Sequence, residues 1–96
     1  MPFELLFTEE AAEQLAALDR SNKRKARKVR ATLGRLQSNP RHPSLQTHEY
    51  DTLSRVMGQK VFESYVENRT PGAFRVFWHY GPEPQEMTIL SIVSHP

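Results

Sequence analysis

Three segments in the second half of the chain constrain its fold more than any other feature. KVFESYVE (60–67), AFRVFWHY (73–80) and EMTILSIVSH (86–95) are rich in β-branched and aromatic residues and alternate in polarity. NRTPG (68–72) and GPEP (81–84) separate them, and their Pro-Gly and Gly-Pro pairs mark reversals. Alternating segments joined by short turns predict an antiparallel meander.

The first half supplies what covers it. FELLF (3–7) reads as a strand ending at Thr8. The Thr8 hydroxyl can cap a helix over 9–19, with Glu9 and Glu10 at the positive end of its dipole. Ser21 or Asp19 can cap a second helix, in which Ala26, Val29, Leu33 and Leu36 form one apolar stripe. SNP (38–40) ends it, because proline disfavours helix in the residue before it. Residues 39–58 show no clear period and read as a long connection.

The order strand, helix, helix, three strands predicts an α+β domain spanning 1–96, with a two-helix antiparallel hairpin on one face of a mainly antiparallel four-stranded sheet. Period two assigns Phe62, Val66, Phe74, Val76, Trp78, Tyr80, Leu90 and Ile92 to the helix-covered face. It leaves Glu63, Tyr65, Arg75, Phe77, His79 and His95 on an open face.

Composition narrows the chemistry. There is no cysteine, so disulfides, thiol nucleophiles and Cys-type zinc sites are excluded. The four histidines lack metal-type spacing, so no metal and no small-molecule cofactor is expected. No signal peptide and no membrane-spanning run is read, and a cytoplasmic location is expected. The net charge of +2 hides a segregation: residues 20–36 hold eight of the thirteen Lys and Arg and no acid. Lys23, Arg24, Arg27 and Lys28 belong to that run. A basic surface of this density suits phosphate contacts that ignore base sequence.

An arginine, a carboxylate, a phenol and an imidazole on one sheet face suit phosphodiester cleavage. The reaction needs a base for the 2′-hydroxyl, a cation for the phosphorane, and an acid for the leaving oxygen. Arg75 can hold a phosphate, His95 can move a proton, and Glu63 or Tyr65 can assist. Phe77, beside Arg75, can stack on a base. The bland readings are a cross-strand ion pair for Glu63 and Arg75, a frayed terminal residue for His95, and a solvated face for the basic helix.

The stretches FTEEAAEQLAALD, LGRLQSNPRHPSL, GAFRVFWHYGP and TILSIVSHP, in this order and spacing, resemble the RelE/ParE superfamily of bacterial type II toxins, the RelE side in particular. The resemblance covers essentially the whole chain. It implies a ribosome-dependent, metal-independent endoribonuclease that cuts mRNA, contacts ribosomal RNA and is inhibited by a cognate antitoxin protein. It matches Arg75 to the arginine that contacts the scissile phosphate and His95 to a C-terminal proton-transfer histidine. Glu49 matches a catalytic glutamate of the loop before the second strand. Arg69 joins the RNA-binding set. The chain departs from the family pattern where lysines are expected on the second strand, since Glu63 and Tyr65 stand there. Two alternatives stay open: a non-catalytic, ParE-like toxin directed at DNA gyrase, and a degenerate homologue that only binds an antitoxin.

Overall fold

The computed structural model describes residues 2–94. Strand β1 (Glu4–Phe7) leads through Thr8 into helix α1 (Glu9–Ser21). Thr8 caps the helix as expected, its Oγ1 accepting from the Ala11 N–H at 3.0 Å. The helix runs to Ser21 rather than stopping at 19. Helix α2 (Lys23–Ser38) begins at once, and its cap is Asn22, not Ser21 or Asp19: the Asn22 side chain accepts from the Lys25 N–H. Across this joint Arg30 donates two hydrogen bonds to Asp19, at 2.6 and 2.7 Å.

Residues 39–58 are more ordered than an irregular connection. They hold a 3-10 turn (Pro43–Leu45), a two-residue strand β2 (His48–Glu49) and a short helix α3 (Asp51–Met57). Gly58 closes α3 at φ 69°, in the left-handed region that glycine adopts at least cost. Strands β3 (Phe62–Tyr65), β4 (Phe74–Tyr80) and β5 (Glu86–Ser94) follow. The sheet order is β1-β5-β4-β3-β2, with β1 parallel to β5 and every other pair antiparallel. The sheet therefore has five strands, not four. The added strand is β2, too short to show a period.

The two long helices cover one face. Val29, Leu33 and Leu36 of α2 and Ala11 of α1 meet Val76, Trp78, Met87, Ile89 and Ile92 of the sheet. Trp78 is fully buried, stacked on Phe62 with centroids 5.0 Å apart. Its Nε1–H donates to Ser64 Oγ at 2.9 Å. Thr47 Oγ1 lies 2.7 Å from the same oxygen and donates to the Pro40 carbonyl at 3.0 Å. A hydroxyl has one proton, so Ser64 must donate to Thr47, and the relay runs from Trp78 to Pro40 without a gap. It ties the 40–47 segment to the core.

One assignment of the helix-covered face is corrected, and another lies at its margin. Tyr80 keeps the face but is 40% exposed, at the margin against Phe3, Phe62 and Trp78. Leu90 yields its core place to Ile89. Phe77 pairs with Ser91 but Trp78 pairs with Ile89, so Leu90 is the extra residue of a β-bulge. The disturbed ladder is compensated from α1 and its cap. Thr8 Oγ1 donates to the Leu90 carbonyl at 2.8 Å, and Gln14 Oε1 accepts from the Ile92 N–H at 2.6 Å. Polar groups that the bulge would leave without partners thus find them in the helix that packs above.

The other face is not open. The Tyr50 ring meets Phe77 edge-on, centroids 4.9 Å apart. Val61 is fully buried, its N–H donating to Ser54 Oγ of α3 at 2.8 Å. Glu63, Arg75 and His79 are each less than a tenth exposed. Among the described residues no helix is long and apolar enough to cross a membrane.

Candidate active site

Register gathers the polar side chains of this second face. His48 of β2 lies opposite Glu63 of β3, and Tyr65 of β3 lies opposite Arg75 of β4. His48, Glu63, Tyr65, Arg75 and Phe77 then share one side by the pleat. Glu63 and Arg75 belong to the inner strands and are buried, while His48 stands on the edge strand, its side chain 48% exposed.

Glu63 is the hub. One carboxylate oxygen lies 2.8 Å from His48 Nε2, and the other lies 3.5 Å from Arg75 Nε. His48 Nδ1 faces the Gln46 carbonyl at 3.0 Å. Both ring nitrogens therefore meet acceptors, and only the imidazolium form donates to both. The carbonyl is aimed by Gln46 itself, which takes φ 47°, a left-handed conformation that non-glycine residues adopt at a cost.

Arg75 is held from three directions. Its guanidinium carbon lies 3.8 Å from the centroid of the Tyr65 ring, a stacked cation–π contact. Nη1 donates to the Glu67 carbonyl at 3.2 Å. Nε approaches Glu63 at 3.5 Å but makes no hydrogen bond, and among the described residues it is a buried side-chain nitrogen without a hydrogen-bond partner. A buried N–H left without an acceptor costs about 1–3 kcal/mol. Such an unsatisfied buried donor is a candidate functional group.

The other expected site residues are dispersed. Glu49 pairs with Phe62, so it points away from His48; it lines a shallow groove with Ser54, Arg55 and Lys60. Arg69 is exposed in the β3–β4 loop at φ 59°. Phe77 is half-buried against Tyr50. His95 lies outside the described residues. Among the described residues no three His, Asp or Glu side chains group as metal ligands would. His48 is the residue that sequence reasoning missed. Its one signal is the HE pair in a polar connection, which does not separate a placed histidine from an idle one.

The basic helix divides into two sets. Lys25 and Lys28 turn inward and bind the two carboxylate oxygens of Glu67, the second at 2.9 Å. Lys23, Arg24, Arg27 and Arg35 are exposed and make no ion pair among the described residues. Burial of the Glu67 carboxyl pushes its pKa up, but the two lysine hydrogen bonds outweigh that and hold it below the ordinary value of 4.5. A depressed pKa stabilises the fold above the unfolded value and loses that stability as pH falls through the folded one. Glu67→Gln is therefore expected to cost about 2 kcal/mol at neutral pH. The gap to the native chain should narrow at acidic pH, as pH falls through the lowered value of the native carboxyl. Urea titrations at the two pH values measure this, and a constant gap would contradict it.

No family model matches the sequence, and no curated protein matches it. Solved structures do. The YoeB/ParE toxin from Agrobacterium tumefaciens superposes with a TM-score of 0.74, covering 97% of this chain and 99% of that one at 10% identity. The YoeB dimer from Staphylococcus aureus gives 0.68, with all of both chains covered at 12% identity. The fold is that of the YoeB/ParE toxins. At this identity the likeness fixes the course of the backbone and leaves the side chains to be judged on their own geometry. In the YoeB/ParE fold seen here, β4 runs through the middle of the sheet and carries Arg75, flanked by β3 and β5.

Proposed function

We propose that this chain is the toxin of a toxin–antitoxin pair and that it cuts mRNA on the ribosome. The observation that carries this reading is the Arg75 guanidinium: buried, stacked on Tyr65, and with an unused Nε–H beside a carboxylate–imidazole pair. A phosphodiester oxygen would supply the missing acceptor. The YoeB/ParE fold, shared along nearly the whole chain, supports it.

In this mechanism Glu63 takes the proton of the 2′-hydroxyl as that oxygen attacks the adjacent phosphorus. The bond from phosphorus to the 5′-oxygen breaks, leaving a 2′,3′-cyclic phosphate. Arg75 stabilises the charge on the phosphorane, and an imidazole returns a proton to the departing 5′-oxygen. His48 is placed for that step by its contact with Glu63, and His95, the proton-transfer histidine implied by the family resemblance, is the other candidate. At rest His48 and Glu63 contact each other, and the entering phosphate separates them. The exposed cations Lys23, Arg24 and Arg27 contact ribosomal RNA through phosphates. An antitoxin protein is the proposed inhibitory partner.

The test is cleavage of a reporter mRNA in a bacterial translation extract, with and without ribosomes, with cut sites mapped by primer extension. Ribosome-dependent cuts that end in cyclic phosphate are expected. They should be lost in Glu63→Gln and reduced about a hundredfold in whichever of His48→Ala and His95→Ala removes the acid. Intact mRNA from folded native protein overturns the reading. Gyrase-linked DNA breaks in the same extract would then identify a gyrase-directed toxin, and neither activity would leave an antitoxin-binding protein.

A further inference from the structure

Glu67 belongs to neither the cluster around Glu63 nor the exposed basic ridge, yet it touches the structures behind both. Its carboxylate is 7% exposed and sits between Lys25 and Lys28 of α2. Its carbonyl accepts from Arg75 Nη1 at 3.2 Å. The Val66 N–H donates to the Phe74 carbonyl, and past that bond the chain enters the 68–72 turn. The Glu67 backbone therefore lies at the end of the β3–β4 ladder. Its side chain fixes it from the far side, through two ammonium groups on a helix packed into the core. Lys25 is itself ordered, with Nζ 5.9 Å from the centroid of the Phe74 ring, next to Arg75 in sequence.

We propose that Glu67 is a positioning residue: it transmits the rigidity of α2 to the Arg75 guanidinium. The physical case is short. A guanidinium on a flexible stem needs more than one fixed contact to keep a single orientation. Tyr65 fixes the plane of the group, and the Glu67 carbonyl fixes its rotation within that plane. Nε then keeps its direction without a hydrogen bond of its own. A misplacement of about 1 Å at a charge-stabilising group lowers rates by up to about a hundredfold. The inner lysines of the basic helix are, on this view, parts of the site's scaffold and not of the RNA-contacting surface.

The role in turnover rests on the proposed ribonuclease reading, whereas the role in holding Arg75 does not. The experiment separates them. The first measurement is the side-chain Nε–Hε signal of Arg75 by 15N NMR, assigned by its loss in Arg75→Lys. In the native chain the signal should be single and protected. In Glu67→Ala it should shift, and its hydrogen exchange should speed up about tenfold, with near-UV circular dichroism of Trp78 unchanged. Lys25→Met, which leaves the Lys28 contact in place, should give a smaller change of the same kind and serves if Glu67→Ala does not fold.

The second measurement is ribosome-dependent cleavage. Glu67→Ala should lower kcat about tenfold with KM within about twofold of native, and Glu67→Gln should fall between. An unchanged Arg75 signal in a folded Glu67→Ala or Lys25→Met chain overturns the proposal. A changed signal with kcat unaffected overturns its catalytic consequence. If the native chain cuts no mRNA, the proposed function falls, and the NMR result still decides whether Glu67 holds Arg75.

Discussion

Arg75→Ala is expected to lower kcat/KM for ribosome-dependent mRNA cleavage by about a thousandfold or more. The substitution removes the buried cation proposed to meet the phosphorane, where an aligned charge stabilises most. Arg75→Lys should restore little. An ammonium is compact and cannot stack on the Tyr65 ring while reaching the Glu67 carbonyl and the Glu63 side together. A residual loss of about a hundredfold is expected for the lysine variant. Stability should move far less than activity. Removing the guanidinium leaves Glu63 paired with His48 alone, at a cost of about 1–3 kcal/mol. Single-turnover cleavage on programmed ribosomes measures the first effect and urea unfolding the second. Alanine activity within about fivefold of native would remove Arg75 from the mechanism.

The largest effect on stability is expected at Trp78. Trp78→Ala takes a fully buried indole from between the helices and the sheet and deletes its stack on Phe62. It also deprives Ser64 Oγ of its donor at the head of the relay to Pro40. Truncating a buried aromatic costs about 3–5 kcal/mol. A domain of this size holds about 5–15 kcal/mol in total. The melting temperature should therefore fall by roughly 15–30 °C, read by circular dichroism. Trp78→Phe keeps most of the apolar contact and loses only the N–H donor, so its loss should be less than half as large. A drop of only a few degrees for the alanine variant would show that the core closes around the space, and would refute the central role given to this ring.

What could be read from the sequence follows from range. The meander was legible because period two persists over the seven residues of β4, β5 is a long apolar run, and turn residues bound each strand. α2 was legible because its apolar stripe repeats four times. β2 was not, since two residues carry no period, and α3 has seven residues and no buried one. Only Gly58, in its left-handed cap, hinted at a helix end. The bulge at Leu90 was hidden because no glycine marks it and its partners lie some eighty residues away, in Thr8 and Gln14. Arg75 and Glu63 were legible as members of one face. Their link to His48, and the link of Glu67 to Lys25 and Lys28, depend on register between elements distant in sequence, and one chain read alone does not disclose register.

The bulge also has a consequence for how this chain can vary in length. Beyond Leu90, residues 91–94 stay in step with β4 because the bulge takes up the one residue that the ladder does not need. Side chains along β5 can be exchanged one at a time with local effects. Deleting Leu90 is a special case: Ile89 would still face Trp78 and Ser91 would still face Phe77, so the ladder would become regular and the inward side of the strand would stay inward. Elsewhere in β5 there is no such slack: a one-residue insertion or deletion would turn the inward side of the strand outward, and should be tolerated less than almost any substitution.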